Sequence, residues 1–362
     1  MTYYHSSYGS SSRKKKKNPL RMVFIIFVLI IATFAAVGGY FAYQIIYAPN
    51  TWTPDNTKEY LYISDEDTFK NVKEQLYAKG LIIHRGNFEL LADYKEYPKH
   101  IKAGKYSISN GMNNNELINL LRSGNQEPVK LRFNNIRLKE DLAERVAKQI
   151  NINKDDFLEK LNDSNYTKTL GFTPENITCM FLPNTYFINW NTNAEQFISR
   201  MHYEYEQFWT EEKKAKAAQM ELSPIQVSIL ASIVEKETQK NDEKARIAGV
   251  YLNRLKNGWR LQADPTLIFA LGNFEIKRVL NAYKELDSPY NTYKHTGLPP
   301  GPICIPSLAS INAVLNAEDH EYFFFCAKPD YSGYHNFAKY SKQHIKNANA
   351  YRAFLNKEKI FK

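Results

Sequence analysis

The chain has little cysteine, and this scarcity narrows the classes of protein to consider. Its 362 residues contain three cysteines, Cys179, Cys304 and Cys326, an odd number whose spacing matches no zinc site. A disulfide scaffold is therefore excluded; one pair could bridge outside a cell, but free buried thiols fit the count better. The eight histidines are scattered and form no obvious ligand set. We predict no metal centre.

Several catalytic signatures are also absent. The sequence contains no H-E-x-x-H, Walker A, G-x-S-x-G or G-x-G-x-x-G motif. These absences argue against a zincin protease, a P-loop NTPase, an α/β-hydrolase and a dinucleotide-binding enzyme. No repeat of fixed period appears. We predict that the protein uses no cofactor.

The N-terminal region lacks acidic residues, and its charge pattern predicts a membrane anchor. Residues 1–21 carry six basic residues and no acid, and residues 22–47 carry no charge. An apolar run of this length exceeds the roughly 20 residues needed to cross a bilayer core. The basic flank predicts a cytoplasmic tail at 1–21 and one transmembrane helix at 22–47 in the plasma (inner) membrane, with the remainder outside. A cleaved signal peptide is the alternative, but the run is long for an h-region and no A-x-A site follows.

The net charge of +10 says little about which partners the protein binds. Six of the positive charges lie in the N-terminal tail, so the remainder of the chain carries only +4. No zinc-finger, homeodomain or RNP pattern is present, and we predict no nucleic-acid partner. A mildly basic surface suits an anionic cell wall or lipid headgroups.

Beyond the anchor, composition and periodicity predict two folded parts of α+β class, dominated by helices with short strands. Residues 48–57 read as a linker rich in proline and small polar residues, followed by a small module at 58–127 and a larger domain at 128–362. The local patterns predict strands at 60–63, 101–108 and 129–133, and a loop at 184–187. They predict helices at 68–79, from Phe88, and at 112–123, 138–150, 154–161, 194–218, 223–237 and 243–256.

The most informative stretch is the apolar helix that ends in two glutamates. Ser223 is its expected N-cap, Pro224 suits the first helical position, and Gln226 has capping-box spacing. At about 100° per residue, Glu235 and Glu237 point to nearly opposite sides of this helix. We therefore expect the two carboxylates to lie in different environments.

Glu237 is the stronger candidate for an acid catalyst. It continues the apolar stripe of Leu230, Ile233 and Val234, and desolvation there raises a carboxyl pKa, so that a proton is available near neutral pH. Glu235 continues a small polar stripe and is the secondary candidate. The alternative is that both glutamates are solvent-exposed charges at the end of a helix, among lysines.

Three polar segments downstream are candidate sugar-binding loops. They offer amide, carboxylate and hydroxyl groups beside tyrosines, which suits a cleft that holds a pyranose ring. The alternatives are an Asp-Pro turn that caps the next helix at Thr266, a polyproline connector at 298–302 and a structural histidine. The candidate substrate-binding residues are Gln262, Asp264, Thr266, Asn291, Tyr293 and His335.

These segments together carry a resemblance to the YceG-like family of endolytic murein transglycosylases. The matching stretches are Ser232–Thr238, Asn253–Leu255, Arg260–Thr266, Tyr290–Tyr293, Thr296–Gly301, Pro306 and Gly333–Phe337, in the same order and spacing. Upstream, Lys102–Tyr106 and Leu120–Gly124 resemble the LysM-like module that precedes the catalytic part in this family. One departure is the segment Thr178–Thr185, where two of the family's acids are replaced.

The resemblance implies a function and places the catalytic glutamate at Glu237. The implied reaction cleaves the bond between N-acetylmuramic acid and N-acetylglucosamine inside peptidoglycan strands and leaves a 1,6-anhydro end. Peptidoglycan is the implied substrate and peptidoglycan synthases are possible partners. Two rivals stay open: a hydrolytic muramidase, which needs a second carboxylate about 5–9.5 Å away, and a non-catalytic wall-binding scaffold.

Overall fold

We describe the fold from a computed structural model that covers Met1, Gly9, residues 19–276 and residues 279–357. Most of the predicted basic tail at 1–21 lies outside these described residues. The chain divides into two compact units, Met1–Glu127 and Pro128–Lys362. Each unit has its own hydrophobic core, and each is described by itself.

The first unit combines a long apolar helix with a small α+β body. The helix at its start spans 28 residues and is long and apolar enough to cross a membrane. Two short strands pair antiparallel, with Leu61 opposite Tyr106, and both of these side chains are buried. Its elements are α1 (Pro19–Ile46), β1 (Glu59–Ile63), α2 (Phe69–Ala78), α3 (Arg85–Tyr94), β2 (Gly104–Ile108) and α4 (Asn114–Ser123).

The predictions for this unit are confirmed at the level of single elements. The strands and helices form where periodicity placed them, although α3 begins at Arg85, three residues before the predicted Phe88. The stretch predicted as a linker is packed into the unit: Asn50 bonds Asn114 at 2.7 Å, and Thr51 pairs with Ile82. The identification of this unit as a LysM-like module stays a prediction.

The second unit is rich in helices, with two antiparallel strand pairs. Strand pairing joins β3 to β4 and β5 to β6. Its strands are β3 (Val129–Arg132), β4 (Thr185–Ile188), β5 (Phe324–Ala327) and β6 (His335–Ala338). Its helices are α5 (Lys139–Ala147), α6 (Lys154–Asn162), α7 (Ser164–Thr169), α8 (Ala194–Phe208), α9 (Glu211–Gln219), α10 (Pro224–Glu237), α11 (Asn241–Lys256), α12 (Asp264–Leu271), α13 (Leu308–Leu315) and α14 (Ser341–Lys357).

The glutamate helix α10 lies at the centre of this unit. Ser223 caps it, with Gln226 N–H donating to Ser223 Oγ at 3.2 Å and Ser223 N–H donating to Gln226 Oε1 at 2.8 Å. Every residue from Val227 to Val234 is buried, so the helix is enclosed on all sides. The predicted capping box and first-turn proline are therefore confirmed, and they fix where the helix begins.

Three local predictions for the second unit are wrong. The segment at 184–187 is not a loop: β4 pairs with β3 and buries Tyr186 and Ile188 on one face. The pattern at 194–218 is two helices, because Trp209 leaves helical geometry and Thr210 caps α9. The Asp-Pro turn considered as a cap for a helix at Thr266 is instead the first turn of that helix, since α12 begins at Asp264. A proline in the first turn loses no helical hydrogen bond.

The proline- and glycine-rich run after α12 is held by a close backbone approach. A Cβ atom on Gly301 would lie 2.0 Å from the carbonyl oxygen of Glu175. No side chain fits there, so glycine is required by space at this position. The run is thus a packed part of the unit.

Candidate active site

Glu237 is the last residue of α10, at the wall of an open cleft. The next residue, Thr238, is extended, so the helix ends at the carboxylate. The cleft has a volume of about 510 Å³. Its walls are formed by Glu237, Tyr251, Arg254, Gln262, Asp264, Tyr293, Phe324, Phe325, Cys326, Ala327, His335 and His344.

The surroundings of Glu237 favour its protonated form. The side chain keeps part of its surface at the cleft but is densely packed by protein, and this burial raises its pKa to about 7. The hydroxyl of Tyr251 donates to Oε1 at 2.5 Å and opposes the rise, as does the charge of Arg254, whereas the charge of Asp264 adds to it. A carboxyl group with this pKa can both give and take a proton near neutral pH.

Arg254 is a buried cation close to this carboxylate. Its Nε donates to the carbonyl of Phe323 at 2.8 Å, and its Nη1 donates to the carbonyl of Leu261. These bonds tie α11 to the segment before β5 and to the loop that carries Gln262. The guanidinium therefore holds the cleft walls together and places positive charge beside Glu237.

Two of the three predicted sugar-binding loops, those at 260–266 and 290–293, meet at one side of the cleft. Gln262 N–H donates to the Thr292 carbonyl at 3.0 Å, and Ala263 N–H donates to Thr292 Oγ1 at 3.0 Å. The hydroxyl of Tyr293 donates to the Asp264 carboxylate. Gln262 has a φ of 49°, in the left-handed region that non-glycine residues seldom occupy. The structure thus brings Gln262, Asp264 and Tyr293 into the same cleft as Glu237.

Thr266 and Asn291 do not line this cleft. Both side chains are fully buried. Thr266 Oγ1 lies 2.8 Å from Thr292 Oγ1, and Asn291 Nδ2 donates to the Leu286 carbonyl at 2.7 Å. The first bond joins the two loops, and the second lies within the loop that carries Asn291. The arrangement favours a role in positioning the loops over direct contact with a sugar, and the binding role stays a prediction.

His335 lies on β6 at another wall of the cleft. Its Nδ1 is 2.8 Å from Glu243 Oε2, and its backbone N–H donates to Glu243 Oε1 at 2.9 Å. Glu243 comes from the first turn of α11 and is buried. With Nδ1–H donating to this carboxylate, Nε2 is the ring nitrogen that remains for a ligand in the cleft.

Glu235 lies on the other side of α10, away from the cleft. Its Oε2 accepts bonds from Lys244 Nζ at 3.0 Å, from Ser307 Oγ at 2.5 Å and from Ser310 Oγ. These bonds, with the Lys244 charge, hold the pKa of Glu235 below its usual value despite burial. The separation of the two glutamates predicted from the helical period therefore appears in the structure as two different environments.

Several cleft residues were missed by sequence analysis. Tyr251 and Arg254, three residues apart on one face of α11, fell within the predicted helix at 243–256, and Arg254 also within a matching family stretch, but neither was given a role. Nothing in the sequence pointed to β5. Pairing with β6 places the four residues of β5 at the cleft. Among the described residues, no group of three or more His, Cys, Asp or Glu side chains could hold a metal ion.

Comparison with known proteins places the chain in context. It is 27% identical to the endolytic murein transglycosylase of Bacillus subtilis strain 168 over 338 residues, covering 89% of this chain and 92% of the relative. It is 27% identical to the protein of the same name from Streptococcus pneumoniae D39, over 84% of this chain, and spans only 61% of that relative's length.

A similar solved structure and a family sequence pattern point to the same group of proteins. The fold is similar to the 2.6 Å crystal structure of a yceG-like protein from Listeria monocytogenes, with a TM-score of 0.52, 27% identity and coverage of 81% of this chain and 99% of that one. The sequence pattern of the YceG-like family matches residues 61–350. That match spans both units and contains every residue of the cleft. This chain belongs to the YceG-like family.

Proposed function

We propose that this protein is a membrane-anchored lytic transglycosylase that cleaves peptidoglycan glycan strands internally. The observation that carries the proposal is Glu237, a single carboxyl group with a pKa near 7 at the wall of an open cleft. Relatives from two organisms named endolytic murein transglycosylase support the substrate class. In a growing wall, such a reaction would end the elongation of nascent strands.

In the proposed reaction, Glu237 serves as acid and then as base. It donates its proton to the glycosidic oxygen as the bond between that oxygen and C1 of N-acetylmuramic acid breaks. The C6 hydroxyl of the same sugar forms a new bond to C1 and returns its proton to the Glu237 carboxylate. The products are a 1,6-anhydro end and a new N-acetylglucosamine end. An internal nucleophile gains a large effective concentration and needs no activated water.

The other cleft residues would hold the sugar in place. Gln262 and Asp264 are exposed at the cleft, and Tyr293 is bonded to Asp264, so amide, carboxylate and aromatic groups converge there. His335, held by Glu243, presents Nε2 to a sugar hydroxyl. Thr266 and Asn291 would not contact the sugar; they would hold the two loops in position.

Hydrolysis by a muramidase mechanism is a second candidate, because Asp264 supplies another carboxylate in the same cleft. A base there could activate water in place of the internal hydroxyl. The bond from Tyr293 occupies one carboxylate oxygen of Asp264. Product analysis separates the two reactions: an anhydro end supports the transglycosylase, and a reducing end supports the muramidase.

The location follows from α1. We propose that α1 anchors the protein in the plasma membrane, with its basic N-terminal tail in the cytoplasm and both units outside, where peptidoglycan lies. Peptidoglycan synthases are natural partners at that surface, because they produce the strands to be cut.

The test is digestion of purified glycan strands by the full chain, with mass analysis of the new ends. We expect internal cuts with 1,6-anhydro ends from the native protein, and cutting about 10²–10⁴-fold slower from Glu237→Gln. Glu206→Gln, on the exposed surface of α8, is the matched control and should cut normally. If the Glu237→Gln protein still cuts strands at the native rate, the proposal fails. If neither the native protein nor Glu237→Gln cuts strands but both bind them, the hypothesis of a non-catalytic scaffold is correct.

A further inference from the structure

The helix α3 packs against the last turn of α1. Asn87 Nδ2 donates to the carbonyl of Gln44 at 3.4 Å, and Asn114 Nδ2, from α4, donates to the carbonyl of Ile45 at 2.8 Å. Ile45 and Ile46 pack on the core of the first unit. The body of this unit is therefore joined to the end of the apolar helix without a spacer, and the depth of α1 in a bilayer fixes the height of α3.

That height can be estimated from helix geometry. A span of about 20 residues crosses the hydrocarbon core, and if it begins at Met22 it ends near Phe41. Gln44 then lies about 4–5 Å beyond the hydrocarbon edge at about 1.5 Å per residue. A helix packed at that level, with a diameter of about 10 Å, lies within the headgroup layer.

The side of α3 next to α1 exposes apolar side chains. Asn87, Leu90 and Tyr94 are three and four residues apart and form one stripe, which we call the α3 stripe. Leu90 is 59% exposed and Tyr94 is 83% exposed. The buried side chains of the helix lie on a different sector: Phe88, Leu91 and Ala92. An exposed leucine and tyrosine beside a membrane-length helix are in the position where interfacial residues occur.

We propose that the α3 stripe inserts into the interfacial layer of the bilayer that α1 crosses, so that the first unit lies on the membrane surface. This inference rests on the membrane anchor of the proposed function. The occupant is phospholipid, because the stripe continues from the end of α1 and ends in a tyrosine. Arg85 and Asp93 on the exposed side of α3 offset one another, so the contact is apolar and does not require anionic lipid.

The test uses the full chain in nanodiscs of phosphatidylcholine, with a benzophenone amino acid placed at one position at a time. Positions 90 and 94 probe the stripe, position 30 in α1 reports the anchor, and position 74 on α2 is the exposed control. After illumination, lipid adducts are counted by mass spectrometry. We expect adducts at 30, and adducts at 90 and 94 about tenfold above those at 74.

Each outcome bears on a different statement. Adducts at 30, with yields at 90 and 94 no higher than at 74, overturn the interfacial contact and leave the anchor standing. Cross-links from 90 or 94 to a second copy of the chain overturn it in favour of self-association. Without adducts at 30, the anchor fails and this inference fails with it.

A second variant tests the stripe without relying on one probe position. Leu90→Glu should lower the lipid adduct at position 94 about tenfold, because a carboxylate resists transfer out of water. Tyr62→Glu, on the exposed side of β1, is the matched control and should leave the adduct at 94 unchanged. Equal yields in both variants would count against the proposal.

Discussion

The neighbours of Glu237 shift its pKa in opposite directions, and two substitutions separate these effects. Tyr251 donates to the carboxylate and lowers its pKa, so Tyr251→Phe should raise the pKa and shift the alkaline limb of kcat/KM to higher pH. Asp264 raises the pKa by charge repulsion, so Asp264→Asn should shift the limb to lower pH. Each shift should be on the order of one pH unit, measured from rates of glycan cleavage between pH 5 and 9. Shifts in the same direction for both variants would contradict this account of the site.

The raised pKa of Glu237 also has a consequence for stability. Its folded pKa is about 7 against an ordinary 4.5, so its ionisation weakens the folded state as pH rises from 4.5 to 7. Glu237→Gln, which resembles the protonated form, should be more stable than the native chain by about 3 kcal/mol at pH 8 and nearly equal to it at pH 4. The same variant should lose about 10²–10⁴-fold in activity.

Urea unfolding followed by tryptophan fluorescence measures this difference, since three of the four tryptophans lie in the second unit. Glu206→Gln is the control, expected to change little at either pH. A Glu237→Gln protein that is less stable than the native chain at pH 8 would show that the carboxylate is not desolvated.

At the scale of elements, Glu235 joins three helices. It lies on α10, its cation Lys244 on α11, and Ser310 on α13, with Ser307 capping that last helix. Lys244 is almost fully buried. Glu235→Ala leaves that charge buried without a partner, and we expect a loss of about 3–5 kcal/mol in unfolding free energy.

The matched control breaks an exposed ion pair at the C-terminal end of α5. Glu144 and Lys148 keep 52% and 70% of their side-chain surface, so Glu144→Ala should change the unfolding free energy far less than Glu235→Ala does. Denaturant unfolding of both variants under one set of conditions gives the comparison. Similar losses for the two would mean that the Glu235 cluster does not hold the helices together.

The elements that were predicted well are those whose signals are local. The start of α10 follows from Ser223, Pro224 and Gln226, which act within one turn. The strand at 185–188 was missed because its evidence is the partner strand at 129–132, more than 50 residues away. The break at Trp209 was missed because the apolar pattern was followed across it, although Thr210 followed by Glu211 and Glu212 is a local signal for a new helix.

At the scale of the whole molecule, the two units have separate cores. The second core begins at Leu131, just after the boundary at Pro128. We therefore expect a chain starting at Pro128 to fold by itself and to keep the cleft. Circular dichroism with a cooperative melt, together with cleavage of soluble glycan strands, checks this. A truncated chain without a melting transition would mean that the second unit needs the first.

The amino-acid sequence by itself determined the apolar N-terminal helix, the capped helix α10 and the difference between Glu235 and Glu237, because these depend on residues within a few turns of one another. Only the tertiary structure decided that Tyr251, Arg254 and His335 join Glu237, and that Thr266 and Asn291 are buried behind the cleft wall. Those residues come from separate helices, strands and loops, 14 to 98 positions along the chain from Glu237. Their meeting depends on how buried surfaces fit together, which no local period records.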